Sequence, residues 1–268
     1  MSEASEASEA SEVTEIIEVI GAGRIGTALC EREPSRFSLI DRQRGWERLD
    51  VQAGAPILLA VRNDDLDPVL ARVPAHRHAD LVFVQNGMLR PWLAARGLAG
   101  ATRGLLFMAV PRRGAAIEPG GESPFFGPHA QALVDAFSAA RLPARSVDAE
   151  SFACIELEKL LWNSCFGLLC DAYDCEVGTV VREHFDALRE LVAELLAIGA
   201  PALGVSLELD PLVERLAAYS RSIPSYRGAI KEWRWRNGWF VELAREQGRS
   251  LPVHERLLAQ ARSHQSQS

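Results

Sequence analysis

The stretch EIIEVIGAGRIG, residues 15–26, restricts the possible folds more than any other part of the chain. A β-branched run ends in Gly21, Ala22, Gly23, Arg24, Ile25 and Gly26, a GxGxxG pattern, and RIGTALCERE then continues with helical spacing. The first glycine of such a pattern makes a tight turn, and the second lets a pyrophosphate approach the backbone. The third lets helix and strand pack closely, with the helix N-terminus facing negative charge. The pattern is weak by itself, but here it has the strand before it and the helix after it that a dinucleotide site requires.

The alternation continues downstream. RFSLID (36–41), APILLAV (55–61), ADLVFVQNG (79–87) and TRGLLFMAV (102–110) read as strands, with the helical LDPVLARV among them. SPFFGP (123–128) adds a further strand and HAQALVDAFSAA (129–140) a helix. Continuous apolar strands separated by helices predict a doubly wound parallel sheet covered on both faces. After about Val147 the apolar spacing becomes three and four, predicting helices over 152–170, 181–199, 210–222, 226–247 and 252–262. Asp210 and Pro211 mark a helix start, Gly248 a helix end, and Pro252 the start of the last helix. The expected class is α/β: a Rossmann-type domain over 14–147 and an all-helical substrate and catalytic domain over 148–262. Disordered tails are expected at 1–13, where the SEA repeats of residues 1–12 carry no branched or aromatic side chain, and at 263–268.

Composition removes several function classes. The net charge is −7, of which four charges lie in the first twelve residues, so a basic footprint for nucleic acid is missing. No apolar run reaches the ~18 residues of a membrane span, and the acidic N-terminus lacks the features of a signal peptide. The cytoplasm is the expected compartment. Five cysteines (Cys30, Cys154, Cys165, Cys170, Cys175) show no metal-ligand spacing, so neither zinc nor disulfides are expected.

The cofactor signals conflict. Asp41 ends the second strand, where a carboxylate binds the ribose 2′-hydroxyl of NAD. Arg42, Arg44 and Arg62 lie close by, and guanidiniums there can clamp the 2′-phosphate of NADP. Trp46 can stack on adenine or simply pack.

ELEKLLWNSCFG (156–167) places Lys159 and Asn163 one turn apart on an otherwise apolar helix. The plain reading is a lysine stem lying on apolar surface with its head in water and Glu156 as its partner. Four stretches in order change the weighting: VIGAGRIG, VFVQNGM (82–88), EKLLWN (158–163) and KEWRWRNGW (231–239). With EQGRSLPVHERL (246–257) they resemble the ketopantoate reductase (2-dehydropantoate 2-reductase) family over nearly the whole chain from Glu15 to about Ala261. The resemblance implies an NADP-dependent reductase that transfers hydride from the reduced cofactor, NADPH, to a small 2-oxo acid, with NAD kept open by Asp41. It implies that Lys159 protonates the carbonyl oxygen, with Asn163 as its companion. Asn86 would lie beside nicotinamide and substrate, Glu232 would orient lysine and substrate, and Arg42 and Arg62 would meet the adenosine phosphate. On physical grounds, apolar neighbours lower the pKa of Lys159 and a carboxylate such as Glu232 raises it.

Two positions depart from the family pattern. Gly167 stands where a second asparagine is usual, and the segment before Glu232 is about four residues short, leaving Ser222 and Ser225 as substrate-binding candidates. A pocket enlarged at Gly167 suits a bulkier or amino-linked keto substrate, and a cofactor-binding sensor or scaffold without chemistry is the alternative of another class. Arg112, Arg113, Arg234 and Arg236 read as solvated, and His129 and His254 acquire no role. The expected partner is a small-molecule 2-oxo acid, without nucleic acid or membrane, for a monomer or homodimer.

Overall fold

The computed structural model describes residues 15–50 and 54–265, so the repeats at 1–13 lie outside the described residues. The chain begins with β1 (Ile17–Ile20), α1 (Arg24–Arg32), β2 (Phe37–Ile40), β3 (Ile57–Leu59), α2 (Leu66–Leu70), β4 (Leu81–Phe83), α3 (Arg90–Ala94) and β5 (Thr102–Gly104). A two-stranded hairpin of β6 (Met108–Ala109) and β7 (Glu118–Pro119) follows, then β8 (Ser123–Phe126), α4 (Ala130–Ala139) and β9 (Ala144–Ser146). The remainder is α5 (Ala149–Tyr173), α6 (Val177–Glu183), α7 (Phe185–Leu203), α8 (Leu209–Ser222), α9 (Asn237–Glu246) and α10 (Pro252–Gln265).

Seven strands form one sheet in the order β2-β1-β3-β4-β5-β8-β9. Pairing is parallel from β2 to β5, with Ile17 opposite Phe37 and Leu58 opposite Val82. β8 runs antiparallel to β5, and β9 parallel to β8. Strands β1, β3 and β4 are buried at every position, as expected when helices cover both faces of a parallel sheet. The one charged residue among these, Glu18, is satisfied by Arg48, whose Nε and Nη2 each reach its carboxylate at 2.9 Å.

The fold class is as the sequence indicates, with local differences. The expected strand over 102–110 is cut in two, because the chain leaves the sheet at Leu105 to form the hairpin. β9 has no apolar alternation and was not anticipated; its exposed side chains place it at the sheet edge. The helix expected over 181–199 is two helices, α6 and α7, meeting at His184, whose ring stacks on Tyr173 at 3.7 Å. The largest difference concerns 226–247. Residues up to Glu232 are not helical, a 3-10 turn covers Trp233–Trp235, and α9 starts only at Asn237. Glu232 itself has φ 48°, a left-handed conformation that no α-helix continues through. At the C-terminus α10 runs on to Gln265, three residues into the expected tail.

α5 is 25 residues long and is the central support of the helical half. Asp148 caps it by accepting from Ser151 N at 2.7 Å, and its apolar residues face almost all round, as a helix enclosed by others requires. It packs on α7 and α10, while its Glu156 ties it to the sheet half. That carboxylate is buried and pairs with Arg90 (2.7 Å) and with Arg103, so it is not the partner expected for Lys159. All five cysteines are free thiols. Among the described residues no helix is long and apolar enough to cross a membrane.

Candidate active site

The glycine loop separates fold from function at single-atom level. Gly21 has φ +126°, and a Cβ there would lie 2.6 Å from Ala60 O. A Cβ on Gly26 would lie 2.0 Å from Gly21 O. Both glycines are required by the protein's own packing. Gly23 is different: the nearest atom to its Cβ position is Ala60 O at 3.9 Å, and its φ of −79° suits any residue. Its missing side chain leaves space outside the fold, at an α1 N-terminus that has no side-chain cap and no acidic residue in its first turn. Uncapped N–H groups with room in front of them suit a pyrophosphate. Ala22 and Ile25 are half-buried beside it, and the exposed Arg24 donates from Nη1 to Pro111 O at 3.1 Å.

β1 lies between β2 and β3, so the segments leaving those two strands flank the loop. Asp41, Arg42 and Arg62 therefore all reach the C-terminal edge of the sheet, where open α/β sheets bind ligands. Asp41 accepts from the backbone N of Gln43 and of Arg44 at 2.8 Å each through Oδ1, which holds its carboxyl below the usual range. One carboxylate oxygen is thus committed to the turn. Arg42 and Arg62 are exposed. Trp46 packs: its Nε1 donates to Asp41 O at 2.7 Å, and Arg72 covers its ring at 3.7 Å.

Asn86 is exposed on the loop after β4. Two contacts fix this loop. Buried Asn63 donates from Nδ2 to Asn86 O at 2.9 Å, and Met88 N donates to Trp235 O at 2.7 Å. Gly87, at φ +92°, is needed because a Cβ would lie 2.6 Å from that same Trp235 carbonyl. The sheet half and the late tryptophan-rich segment are therefore joined at Gly87 and Met88, directly after Asn86. Asn63, which sequence reasoning passed over, is what pins the loop; it follows Arg62 at a strand end and gives no signal of its own.

Lys159 is not a solvated surface lysine. Its Nζ donates to Leu106 O at 2.9 Å and lies 4.1 Å above the Phe107 ring. Burial, then the Arg236 guanidinium, lower its pKa from 10.5 to about 8. Among the described residues no carboxylate pairs with it, so the expectation that Glu232 keeps it charged is not met. Glu232 instead pairs with Arg236 at 2.6 Å. Arg236, expected in solvent, is 9% exposed, and its Nε has no partner. Arg234 is exposed, as expected, over Trp235. Asn163 lies one turn from Lys159, and its Nδ2 donates to the lysine's backbone carbonyl at 2.9 Å, fixing the helix turn and not the amine.

Ser222 and Ser225 are both exposed, and Ser222 Oγ donates to Tyr219 O at 2.7 Å. Neither lines the cavity at Lys159. The cause is the shortened segment, which lies tight against α5. A Cβ on Gly167 would meet Ala229 O at 2.6 Å, and one on Gly228 would meet Phe166 O at 2.8 Å. Gly167 therefore seats this segment and does not enlarge a pocket. His254 is fully buried; Asn237 Nδ2 lies 3.2 Å from its Nε2, and burial lowers its pKa to about 4.

Lys159 and Asn163 line a cavity of about 460 Å³ between α5, α8 and the hairpin, closed by Phe107, Trp162 and Tyr219. A second concavity, of about 320 Å³ on α7, is lined mostly by alanine and leucine and has no charged group for chemistry.

Relatives are recognised at two levels. Residues 152–265 match the family described as ketopantoate reductase PanE/ApbA C terminal. No curated relative matches the chain in sequence. Among solved structures, the dimeric ketopantoate reductase from Staphylococcus aureus superposes with a TM-score of 0.72 at 16% identity, over 94% of this chain and 99% of that one. The 2-dehydropantoate 2-reductase from Methylococcus capsulatus gives 0.71 at 18% identity, over 94% and 97%. A D-mandelate dehydrogenase complex with NADH gives 0.70 at 14% identity, over 94% and 99%. The match to the family model covers residues 152–265, and over nearly its whole length the chain has the fold of solved ketopantoate reductases.

Proposed function

We propose that the chain binds a nicotinamide dinucleotide across the glycine loop and reduces the keto group of a small 2-oxo acid of the ketopantoate type. The observation that carries this reading is the state of Lys159: an amine without a carboxylate partner among the described residues, on a cavity wall, with a pKa of about 8. Such a group is roughly nine-tenths protonated at pH 7, yet gives up its proton far more readily than an ordinary lysine.

The bound nicotinamide supplies the hydride. The chain's own residues do the rest. Gly23 and the α1 N-terminus would hold the pyrophosphate, and the loop bearing Asn86 is locked against the backbone of Trp235. As negative charge grows on the substrate oxygen, the ammonium stabilises it and passes the proton over. Leu106 O and the Phe107 ring keep Nζ in place beforehand. Arg42 and Arg62 favour NADP through its 2′-phosphate, since Asp41 has one oxygen bound in its own turn. The D-mandelate dehydrogenase solved with NADH keeps NAD as the second choice. The same reading makes the protein a cytoplasmic monomer or homodimer without nucleic-acid partners.

The test is turnover of 2-oxo acids by the purified protein with NADPH and with NADH, alongside Lys159→Ala. The expected result is oxidation of NADPH, lost by at least 10²-fold in the variant. Full activity in Lys159→Ala would remove Lys159 as the proton donor on which the proposal rests, and tight cofactor binding with no acid reduced would leave a cofactor-binding sensor.

A further inference from the structure

We infer that the cavity beside Lys159 is built for a 2-oxo acid with an aromatic side chain and a single carboxylate; this deepens the reading above and rests on it. At about 460 Å³ the cavity is well within the ~300–1,000 Å³ of sites that enclose drug-sized molecules. Its walls carry three rings, from Phe107, Trp162 and Tyr219. Tyr219 is 38% exposed, and its neighbour Tyr226 is 45% exposed. Large aromatic surfaces left open beside a reactive amine mark a place for a ligand's own apolar group.

The rings are held in advance. Trp162 donates from Nε1 to Ser220 Oγ at 3.0 Å, stacks on Phe166 at 5.5 Å, and meets Tyr219 edge-on at 5.1 Å. Phe107 is fixed by its backbone N, which donates to Ser123 Oγ at 3.0 Å, and by the ammonium above its face. A wall that does not rearrange spends little ordering entropy on binding. An incoming ring can then adopt the edge-on or offset geometries that aromatic pairs prefer.

Charge fixes the other end of the ligand. Glu158 pairs with Arg215 at 2.7 Å and Glu122 with Arg145 at 3.0 Å, which leaves Lys159 as the unbalanced charge among the lining residues. One carboxylate neutralises the cavity, whereas a second would exceed its charge.

The experiment compares kcat/KM for benzoylformate, phenylpyruvate, 2-oxobutanoate and 2-oxoglutarate, in the wild type and in Tyr219→Ala. An aryl acid should exceed 2-oxobutanoate by about tenfold or more, 2-oxoglutarate should be the poorest, and Tyr219→Ala should shrink the aryl advantage several-fold. If 2-oxobutanoate is reduced as well as the aryl acids, the inference is overturned while the reductase reading stands. If no acid is reduced, the reductase reading fails, and calorimetric titration of the same acids in the presence of oxidised cofactor decides the present one. Benzoylformate binding about tenfold tighter than 2-oxobutanoate supports it; equal binding, or none, overturns it.

Discussion

Replacing Lys159 by methionine should make the protein more stable at neutral pH while abolishing its chemistry. Methionine keeps most of the side-chain length and removes the charge. Burial is the main reason the ammonium's pKa falls from 10.5 to about 8. At 1.36 kcal/mol per pKa unit, keeping the charged form in the folded chain costs about 3 kcal/mol at pH 7. Methionine leaves Leu106 O without its donor, a loss of about 1 kcal/mol. The variant should therefore gain about 2 kcal/mol at pH 7. The pH dependence supplies the sharper test. Between about pH 8 and 10.5 the unfolded chain keeps its proton on this lysine while the folded chain has lost it. The wild type consequently becomes more stable as pH rises through that window, by about 2 kcal/mol between pH 7 and 9.5. Urea unfolding of both proteins at the two pH values measures this directly. A variant less stable than the wild type at pH 7, or a gap that does not narrow by pH 9.5, would refute the reasoning.

Gly23→Ala should leave stability within about 1 kcal/mol, because no atom obstructs the new Cβ, yet weaken dinucleotide binding at least tenfold; thermal unfolding and fluorescence titration separate the two. Gly167→Asn should not improve turnover of any keto acid; forced against Ala229 O, it should destabilise the chain by about 1–3 kcal/mol in urea unfolding. For reduction, kcat/KM should be flat below about pH 8 and fall about tenfold per unit above it as Lys159 loses its proton, recorded as a pH–rate profile. Glu156→Gln should cost about 3–5 kcal/mol in denaturant unfolding, since Arg90 and Arg103 would be left without their carboxylate.

Much of the fold was legible because its signals are local. The glycine spacing at 21, 23 and 26, the buried runs of β1, β3 and β4, and the starts of α1 and α10 are all written in short stretches of sequence, although Gly21 is also held against Ala60 of a distant strand end. The segment 226–236 has helical apolar spacing and yet is not an α-helix, because Gly228 seats it on α5, a helix some sixty residues earlier, and Glu232 is left-handed. Charged residues were the least legible. Glu156 reads as a surface partner one turn from Lys159, but its arginines come from positions 66 and 53 residues away. Arg236, in a polar-looking run, is buried by packing that brings Trp235 onto the loop after β4.

The sequence alone determined the order of elements, the parallel sheet and the presence of an amine on an apolar helix, since hydrophobic period and glycine placement act over short range. Only the tertiary structure decided what that amine is. Its acidity comes first from desolvation where Leu106 and Phe107 meet it and then from the charge of Arg236, groups that chain folding brings from two distant regions, and a desolvation energy exists only once the surrounding atoms have excluded water.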